Sequence, residues 1–162
     1  MKIRAIFPGS FDPVHLGHIN VAIRAAKMFE TVVIGVYCSP KKNVLFSCEQ
    51  RVEMFRRAVS HVPNIEVVSY DELTIHFAER MNATVMVRGL RVFSDFDNEF
   101  RMALMNWELN PSIETVSLIT NHAHTFLSST TIKEIAALGG EISNMVTPYV
   151  ADCLRAAFKK DC

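Results

Sequence analysis

Hydrophobic positions along this chain switch between two periods. Five short apolar runs rich in β-branched residues read as strands: Ile3–Phe7, Thr31–Tyr37, Ile65–Val68, Thr84–Val87 and Glu114–Leu118. Thr31–Tyr37 and Thr84–Val87 are close to continuously apolar, the pattern of strands buried on both faces. Between the runs, apolar residues recur at helical spacing. Gly17–Phe29 places Ile19, Ala22, Ile23, Ala26 and Phe29 on one face, and Tyr70–Met81 turns Leu73, Phe77 and Ala78 inward. Further helices are expected over Ser47–Ser60, Ser94–Leu109, Ser128–Leu138 and Thr147–Phe158. Ser47 stands three residues before Gln50, the spacing of a capping box.

Strands that alternate with helices imply a parallel sheet, because parallel neighbours need a crossover and the crossover helix packs on the sheet. The expectation is an α/β fold: a single Rossmann-like domain over residues 1–162, with a five-stranded parallel sheet covered by helices on both faces. Ligands of such sheets bind beyond the carboxyl ends of the strands. Gly9–His18, Ser39–Lys42, Arg88–Arg91 and Thr120–Ser129 follow the first, second, fourth and fifth strands, so four distant segments converge on one edge.

Composition narrows the function classes. The chain has 162 residues, 49% hydrophobic and 21% charged, which fits one folded domain and not a disordered segment. Lysines and arginines balance aspartates and glutamates at 17 each. A broad cationic nucleic-acid surface is therefore not expected, and any phosphate must be held by a local cluster of cations. No apolar run approaches the ~18–20 residues of a membrane span. The run after Lys2 is broken by Arg4 and stops at Pro8, unlike a signal peptide, so a cytoplasmic protein is expected. Cys38, Cys48, Cys153 and Cys162 form neither a C-x-x-C pair nor a zinc-ligand spacing; reduced thiols are expected. No G-x-G-x-x-G follows the first strand, and neither a G-x-x-x-x-G-K-[ST] phosphate loop nor a G-x-S-x-G nucleophile elbow occurs.

The chemistry concentrates in Gly9-Ser10-Phe11-Asp12-Pro13-Val14-His15-Leu16-Gly17-His18. A helix that starts here offers unpaired N–H groups and a positive dipole end to phosphate. His15 and His18, one turn apart, add two imidazoles. They also leave open a metal reading with Asp12, and a plain capping role. Lys41 and Lys42 end Ser39-Pro40-Lys41-Lys42 and can meet a phosphate as point charges. Arg88-Gly89-Leu90-Arg91 supplies two planar guanidinium forks, with Gly89 expected to permit a sharp turn. Asp95, Asp97 and Glu99 either form an acidic helix start or orient an arginine or a nucleotide group. Leu127-Ser128-Ser129-Thr130-Thr131 is a hydroxyl-rich helix start, in which Ser128 or Ser129 is the candidate cap.

In order and spacing, these motifs resemble those of the bacterial phosphopantetheine adenylyltransferases, within the nucleotidylyltransferase superfamily. The first motif points to the superfamily; Arg88-Gly89-Leu90-Arg91 with Asp95-Phe96 and Glu99 is more specific. The resemblance spans essentially the whole chain. It implies transfer of the adenylyl group of ATP to 4′-phosphopantetheine, giving dephospho-coenzyme A and pyrophosphate, with magnesium (Mg2+) required. It also implies a homohexamer, with coenzyme A as a feedback inhibitor. By the same resemblance, Ser10, Lys42, Thr74 and Arg88 would contact phosphopantetheine. Ser10, Phe11, His18, Gly89, Leu90, Arg91, Glu99 and the segment His124, Thr125, Phe126, Leu127, Ser128, Ser129 and Thr130 would contact ATP. His18 would stabilise the transition state, with Lys42, Arg88 and Arg91 as catalytic cations and no metal ligand from the protein. The chain departs from the commoner pattern at Ser10, where threonine is frequent, and at Thr74, Asn98 and Asn121–Thr125. Two other readings stay open: a nucleotidylyltransferase with another acceptor or with CTP, and a nucleotide sensor without turnover.

Overall fold

The structure, a computed structural model, describes residues 3–41 and 43–159, without the side chain of Phe93. Its strands are β1 (Arg4–Gly9), β2 (Thr31–Tyr37), β3 (Ile65–Tyr70), β4 (Val85–Leu90) and β5 (Glu114–Ile119). Its helices are α1 (Leu16–Ala26), α2 (Cys48–Ala58), α3 (Thr74–Arg80), α4 (Phe93–Leu109), α5 (Ser129–Ala137) and α6 (Pro148–Phe158), and His122–His124 form one 3₁₀ turn. The strands form one sheet in the order β3-β2-β1-β4-β5, all pairs parallel. The α/β fold with a five-stranded parallel sheet is therefore as the residue pattern implies.

Period-two alternation sorts the sheet's side chains between two cores. Ala5, Phe7, Val32, Ile34, Val36, Val85 and Val87 pack with α1, α2, α5 and α6. Ile6, Val33 and Met86 pack with Ile75, Phe77 and Ala78 of α3. The faces follow from handedness. The chain steps outward from β1 to β3, then crosses back to β4, and right-handed crossovers in opposite directions put their helices on opposite faces.

That reversal places the switch point between β1 and β4. Their ladder runs through Ala5↔Val85 and Ile6↔Met86, while the strands continue to Gly9 and Leu90. Beyond that pairing the carboxyl ends of the two strands flank a crevice, the position where open parallel sheets take ligands.

Several boundaries differ from the sequence expectation. Arg88, Gly89 and Leu90 are not a turn after β4 but its last residues, paired with Ser117, Leu118 and Ile119. β5 supplies a partner strand there, which extends the ladder past the last apolar residue. Tyr70 likewise ends β3, paired with Tyr37, so α3 begins only at Thr74. The Ser47–Gln50 capping box forms in both directions. Cys38 and Cys48 are joined as a disulfide, their Cα atoms 5.1 Å apart, which corrects the expectation of reduced thiols. The two residues flank the connection from β2 to α2, so the fold itself brings together cysteines whose sequence spacing matches no motif. Cys153 is free; Cys162 lies outside the described residues.

Candidate active site

The start of α1 is closed by two histidines that cap one another. The buried His15 is the N-cap, and its Nδ1 accepts from the Gly17 N–H at 3.1 Å and the His18 N–H at 3.4 Å. The His15 N–H donates back to Nδ1 of His18 at 3.2 Å. The rings stack with centroids 3.6 Å apart. Because Nδ1 accepts in both rings, each neutral imidazole carries its proton on Nε2. Burial, then the nearby Arg91 and His124, pushes the His15 pKa down to about 3. A Cβ on Gly17 would sit 2.9 Å from Cε1 of His15, so this turn has no room for a side chain.

His18 is braced on its other side by Phe11, edge-on at 5.0 Å. Phe11 adopts φ 49°, which L residues seldom occupy, and its ring also packs edge-on to Phe7 and Phe55. Aromatic packing on three sides thus holds a backbone kink at the carboxyl end of β1. Asp12 is engaged elsewhere. Its buried carboxylate accepts from the N–H groups of Leu45 and Phe46 and pairs with Lys133. That commitment removes the metal reading of Asp12 with His15 and His18.

The two arginines of β4 and its exit are each aimed by α4. Glu99 accepts from Nε and Nη2 of Arg88 at 2.7 and 2.9 Å, while Nη1 of Arg88 crosses the crevice to the Pro8 carbonyl at 3.0 Å. Asp95 accepts from Nε and the backbone N–H of Arg91 at 3.1 and 3.2 Å, and Nη1 of Arg91 reaches the Leu127 carbonyl at 2.8 Å. Of the roles open to the acidic residues, the structure brings out arginine orientation for Asp95 and Glu99. Asp97 instead pairs with Arg101 on the exposed side of α4.

These groups surround a cleft of about 380 Å3. Ser10, Phe11, His18, Arg88, Gly89, Arg91, Glu99, Ser128, Ser129 and Thr130 all line it. Ser128 is the cap of α5, accepting from the Thr131 N–H at 3.1 Å, and Ser129 ties α5 to the Pro13 carbonyl at 2.8 Å. A second cavity, lined by Tyr37, Pro40, Lys41, Tyr70 and Thr74, shares Pro8, Gly9, Ser10 and Arg88 with the cleft. Thr74 meets the Tyr70 hydroxyl at 3.1 Å.

Not every expected residue joins the cleft. Leu90 faces a separate apolar hollow with Val92, Phe96 and Ile119. Leu127 is buried and contributes its carbonyl to Arg91. His124, Thr125 and Phe126 do not line the cleft; Phe126 is exposed, and the Thr125 hydroxyl bonds to the His122 carbonyl. Lys42 lies outside the described residues.

Sequence reasoning missed Arg51 altogether. This buried side chain donates from Nε to the Phe46 carbonyl at 3.1 Å, and from Nη1 to the carbonyls of Ser10 and Tyr37 at 2.6 and 2.8 Å. Burial lowers its pKa, opposed by Asp12 and Glu49. An arginine within an amphipathic helix gives no sign of being buried, because its partners are backbone carbonyls that no sequence spacing reveals.

Residues 6–135 match the cytidylyltransferase-like family. The chain belongs to that family. It is thus a nucleotidyltransferase by descent, and the cleft at its switch point is where the family's fold would hold a nucleotide. Two solved structures share the nucleotidyltransferase fold. One, assigned as a nicotinate-nucleotide adenylyltransferase from Vibrio parahaemolyticus, has 23% identity and a TM-score of 0.71, covering 99% of this chain and 98% of that one. The other is a bifunctional NMN adenylyltransferase/ADP-ribose pyrophosphatase from Francisella tularensis, complexed with AMP and a manganese ion. It has 14% identity and a TM-score of 0.72, covering 99% of this chain and 50% of that one. No helix among the described residues of this nucleotidyltransferase is long and apolar enough to cross a membrane.

Proposed function

We propose that this nucleotidyltransferase is an adenylyltransferase that joins ATP to 4′-phosphopantetheine, giving dephospho-coenzyme A and pyrophosphate. The observation that carries the reading is the pair of adjoining cavities with Ser10 and Arg88 at their junction. ATP lies in the cleft, between the start of α1 and Ser128–Thr130 at the start of α5. The acceptor lies in the second cavity, its phosphate toward Arg88, Ser10 and Lys41, which line it; Lys42 is proposed as a further acceptor contact on the family resemblance alone.

The reaction needs no covalent intermediate and no strong base, since the acceptor phosphate is already anionic at neutral pH. A phosphate oxygen of the acceptor attacks the α-phosphorus, and the bond to pyrophosphate breaks, its electron pair leaving with pyrophosphate. Charge builds on the α-phosphate oxygens. His18, with its proton on Nε2, donates to that charge where it develops. Arg91, held by Asp95 and the Leu127 carbonyl, supplies a fixed cation on the nucleotide side.

Among the described residues, no group of three histidine, cysteine or acidic side chains is placed to hold a metal, and the cleft carboxylates Asp95 and Glu99 are both paired with arginine. That donor set fits magnesium carried by triphosphate oxygens and water, where it would neutralise the phosphates. Coenzyme A, which contains the acceptor's pantetheine, is the expected feedback inhibitor. Exposed apolar side chains along α4 (Phe96, Phe100, Met102, Met105 and Trp107) support self-association, for which a homohexamer is proposed.

A second reading, with a nicotinate or nicotinamide mononucleotide acceptor, is favoured by the names of the two fold neighbours. Pyrophosphate release with magnesium separates the readings. ATP is offered with 4′-phosphopantetheine, nicotinate mononucleotide or nicotinamide mononucleotide, and CTP replaces ATP in parallel. Release with ATP and phosphopantetheine alone supports the proposal. Release with a mononucleotide or CTP transfers the site to another reaction, and binding without release from any pair makes the protein a sensor.

A further inference from the structure

We propose that Asp12 is a positioning residue that ties the acceptor-side loop to the nucleotide-side helix. The inference rests on the reading of the second cavity as the acceptor site.

The connection from β2 to α2, residues 38–47, carries Pro40 and Lys41 to the second cavity. Its far end is held by one buried carboxylate. Oδ2 of Asp12 accepts from the Leu45 N–H at 2.9 Å, and Oδ1 from the Phe46 N–H at 3.0 Å. The same Oδ2 accepts from Nζ of Lys133, on α5, at 2.6 Å. Asp12 is 1% exposed. A carboxylate taken out of water is destabilising unless hydrogen-bonded and paired, so these three donors are what permits its charge at this position.

The geometry makes Asp12 a three-way joint. It belongs to the β1–α1 turn that positions His18, it grips the end of the loop that bears Lys41, and it is held by the helix whose first turn lines the cleft. The Phe46 backbone is held at both of its polar groups, its N–H by Asp12 and its carbonyl by Arg51. α5 is docked on the same turn a second time, through the Ser129 hydroxyl and the Pro13 carbonyl. Lys133 lines neither cavity. Its ion pair with Asp12 is the link by which Lys133 reaches the loop that bears Lys41.

The test uses the full chain as wild type, Asp12→Asn, Lys133→Met and Lys133→Arg, each checked by thermal melting. Two readouts are taken. The first is amide hydrogen exchange without substrates, which needs no knowledge of the acceptor. Exchange at Leu45 and Phe46 is expected to rise at least about tenfold in Asp12→Asn and Lys133→Met, with the β1 amides unchanged, as for loss of a charge-assisted bond. The second is steady-state kinetics. The acceptor KM is expected to rise about tenfold in the same two variants with the ATP KM changing less than about threefold, and Lys133→Arg, which keeps the cation, is expected to restore most of the loss. Unchanged exchange at Leu45 and Phe46 overturns the proposal whatever the substrate. Faster exchange with both KM values moved equally, or neither, also overturns it and leaves Asp12 a purely structural group. If wild type turns over nicotinate mononucleotide and not phosphopantetheine, the function reading falls, while the exchange data still decide the joint and the kinetic arm runs with the acceptor that is used.

Discussion

Glu99 grips the Arg88 guanidinium by two of its nitrogens, at 2.7 and 2.9 Å, while the third is spent on the Pro8 carbonyl across the crevice. The two residues are eleven apart in sequence, one at the end of β4 and the other a turn and a half into α4. Arg88 is thereby locked at the junction of the cavities before any substrate arrives, and Glu99 acts through it. Glu99→Gln keeps one acceptor oxygen and loses the charge. It is expected to raise the acceptor KM roughly tenfold, about the worth of one charge-assisted bond, with a smaller effect on ATP. Steady-state kinetics with each substrate varied in turn checks this. A defect confined to ATP would return Glu99 to direct nucleotide contact.

His18 answers to a different measurement. Its Nδ1 is occupied by the His15 N–H, and this fixes the Nε2 proton that the proposed mechanism uses. His18→Ala is expected to lower kcat by about 10²–10³, the loss of one transition-state donor. Loss of the cap bond costs stability by about 1 kcal/mol, a few degrees in Tm. Turnover within a factor of about five of wild type would remove His18 from the reacting centre.

His15 gives the fold a pH dependence. Its pKa falls from 6.5 in the unfolded chain to about 3 in the folded protein, through burial first and then Arg91 and His124. Between those values the unfolded state binds the extra proton. The stabilisation due to His15 is therefore fully present above pH 6.5 and is lost as pH falls toward 3, by about 1.4 kcal/mol per pH unit at most. Urea unfolding from pH 8 to 5 checks the slope. His15→Asn, which retains a capping side chain but does not titrate, is expected to flatten it below pH 6.5.

The architecture was legible because it rests on signals the chain carries locally. The apolar, β-branched runs Thr31–Tyr37 and Thr84–Val87 read as buried strands, which β2 and all but the exposed Thr84 of the second run bear out, and Ser47 with Gln50 marked the start of α2 within one residue. Most of the cleft was legible for a related reason: residues that follow parallel strands must gather at one edge. What escaped were relations set only by packing. Gly89 looked like a turn because glycine after an apolar run usually breaks it, yet β5 lies alongside and continues the ladder. Arg51 reaches the backbone carbonyls of Ser10 and Tyr37, and Asp12 the amides of Leu45 and Phe46, partners that leave no mark in sequence, while the Asp12–Lys133 ion pair joins side chains 121 residues apart.

The cysteines offer a direct chemical check. With Cys38 and Cys48 joined, reducing the purified, unreduced protein in denaturant is expected to add two titratable thiols. The bridge closes a loop ten residues apart in sequence, so its loss is expected to cost about 2 kcal/mol, read as a lower urea midpoint for Cys48→Ser. No gain of thiols on reduction would mean that the cysteines stay unbridged in solution.

Two glycines of the sheet separate stability from binding. A Cβ at Gly35, in the middle of β2, would lie 2.4 Å from the Phe77 ring and 3.1 Å from that of Tyr70. Phe77 is fully buried and stacked on Tyr70, so neither ring can yield without disturbing the core under α3. Gly35→Ala is expected to cost about 1–3 kcal/mol of stability, as overpacking does, with any loss of activity secondary to unfolding. At Gly89 the same methyl meets, among the described residues, only Val21 Cγ2 at 3.4 Å and Thr120 Oγ1 at 3.9 Å, ordinary contacts on the wall of the cleft. Gly89→Ala should therefore melt within a few degrees of wild type while occupying space that the nucleotide needs, raising the ATP KM by roughly tenfold or more. Melting curves and ATP titrations of the two variants, run together, check the contrast. If Gly89→Ala bound ATP normally, the nucleotide would have to sit away from β4, and the cleft's assignment to ATP would fail with it.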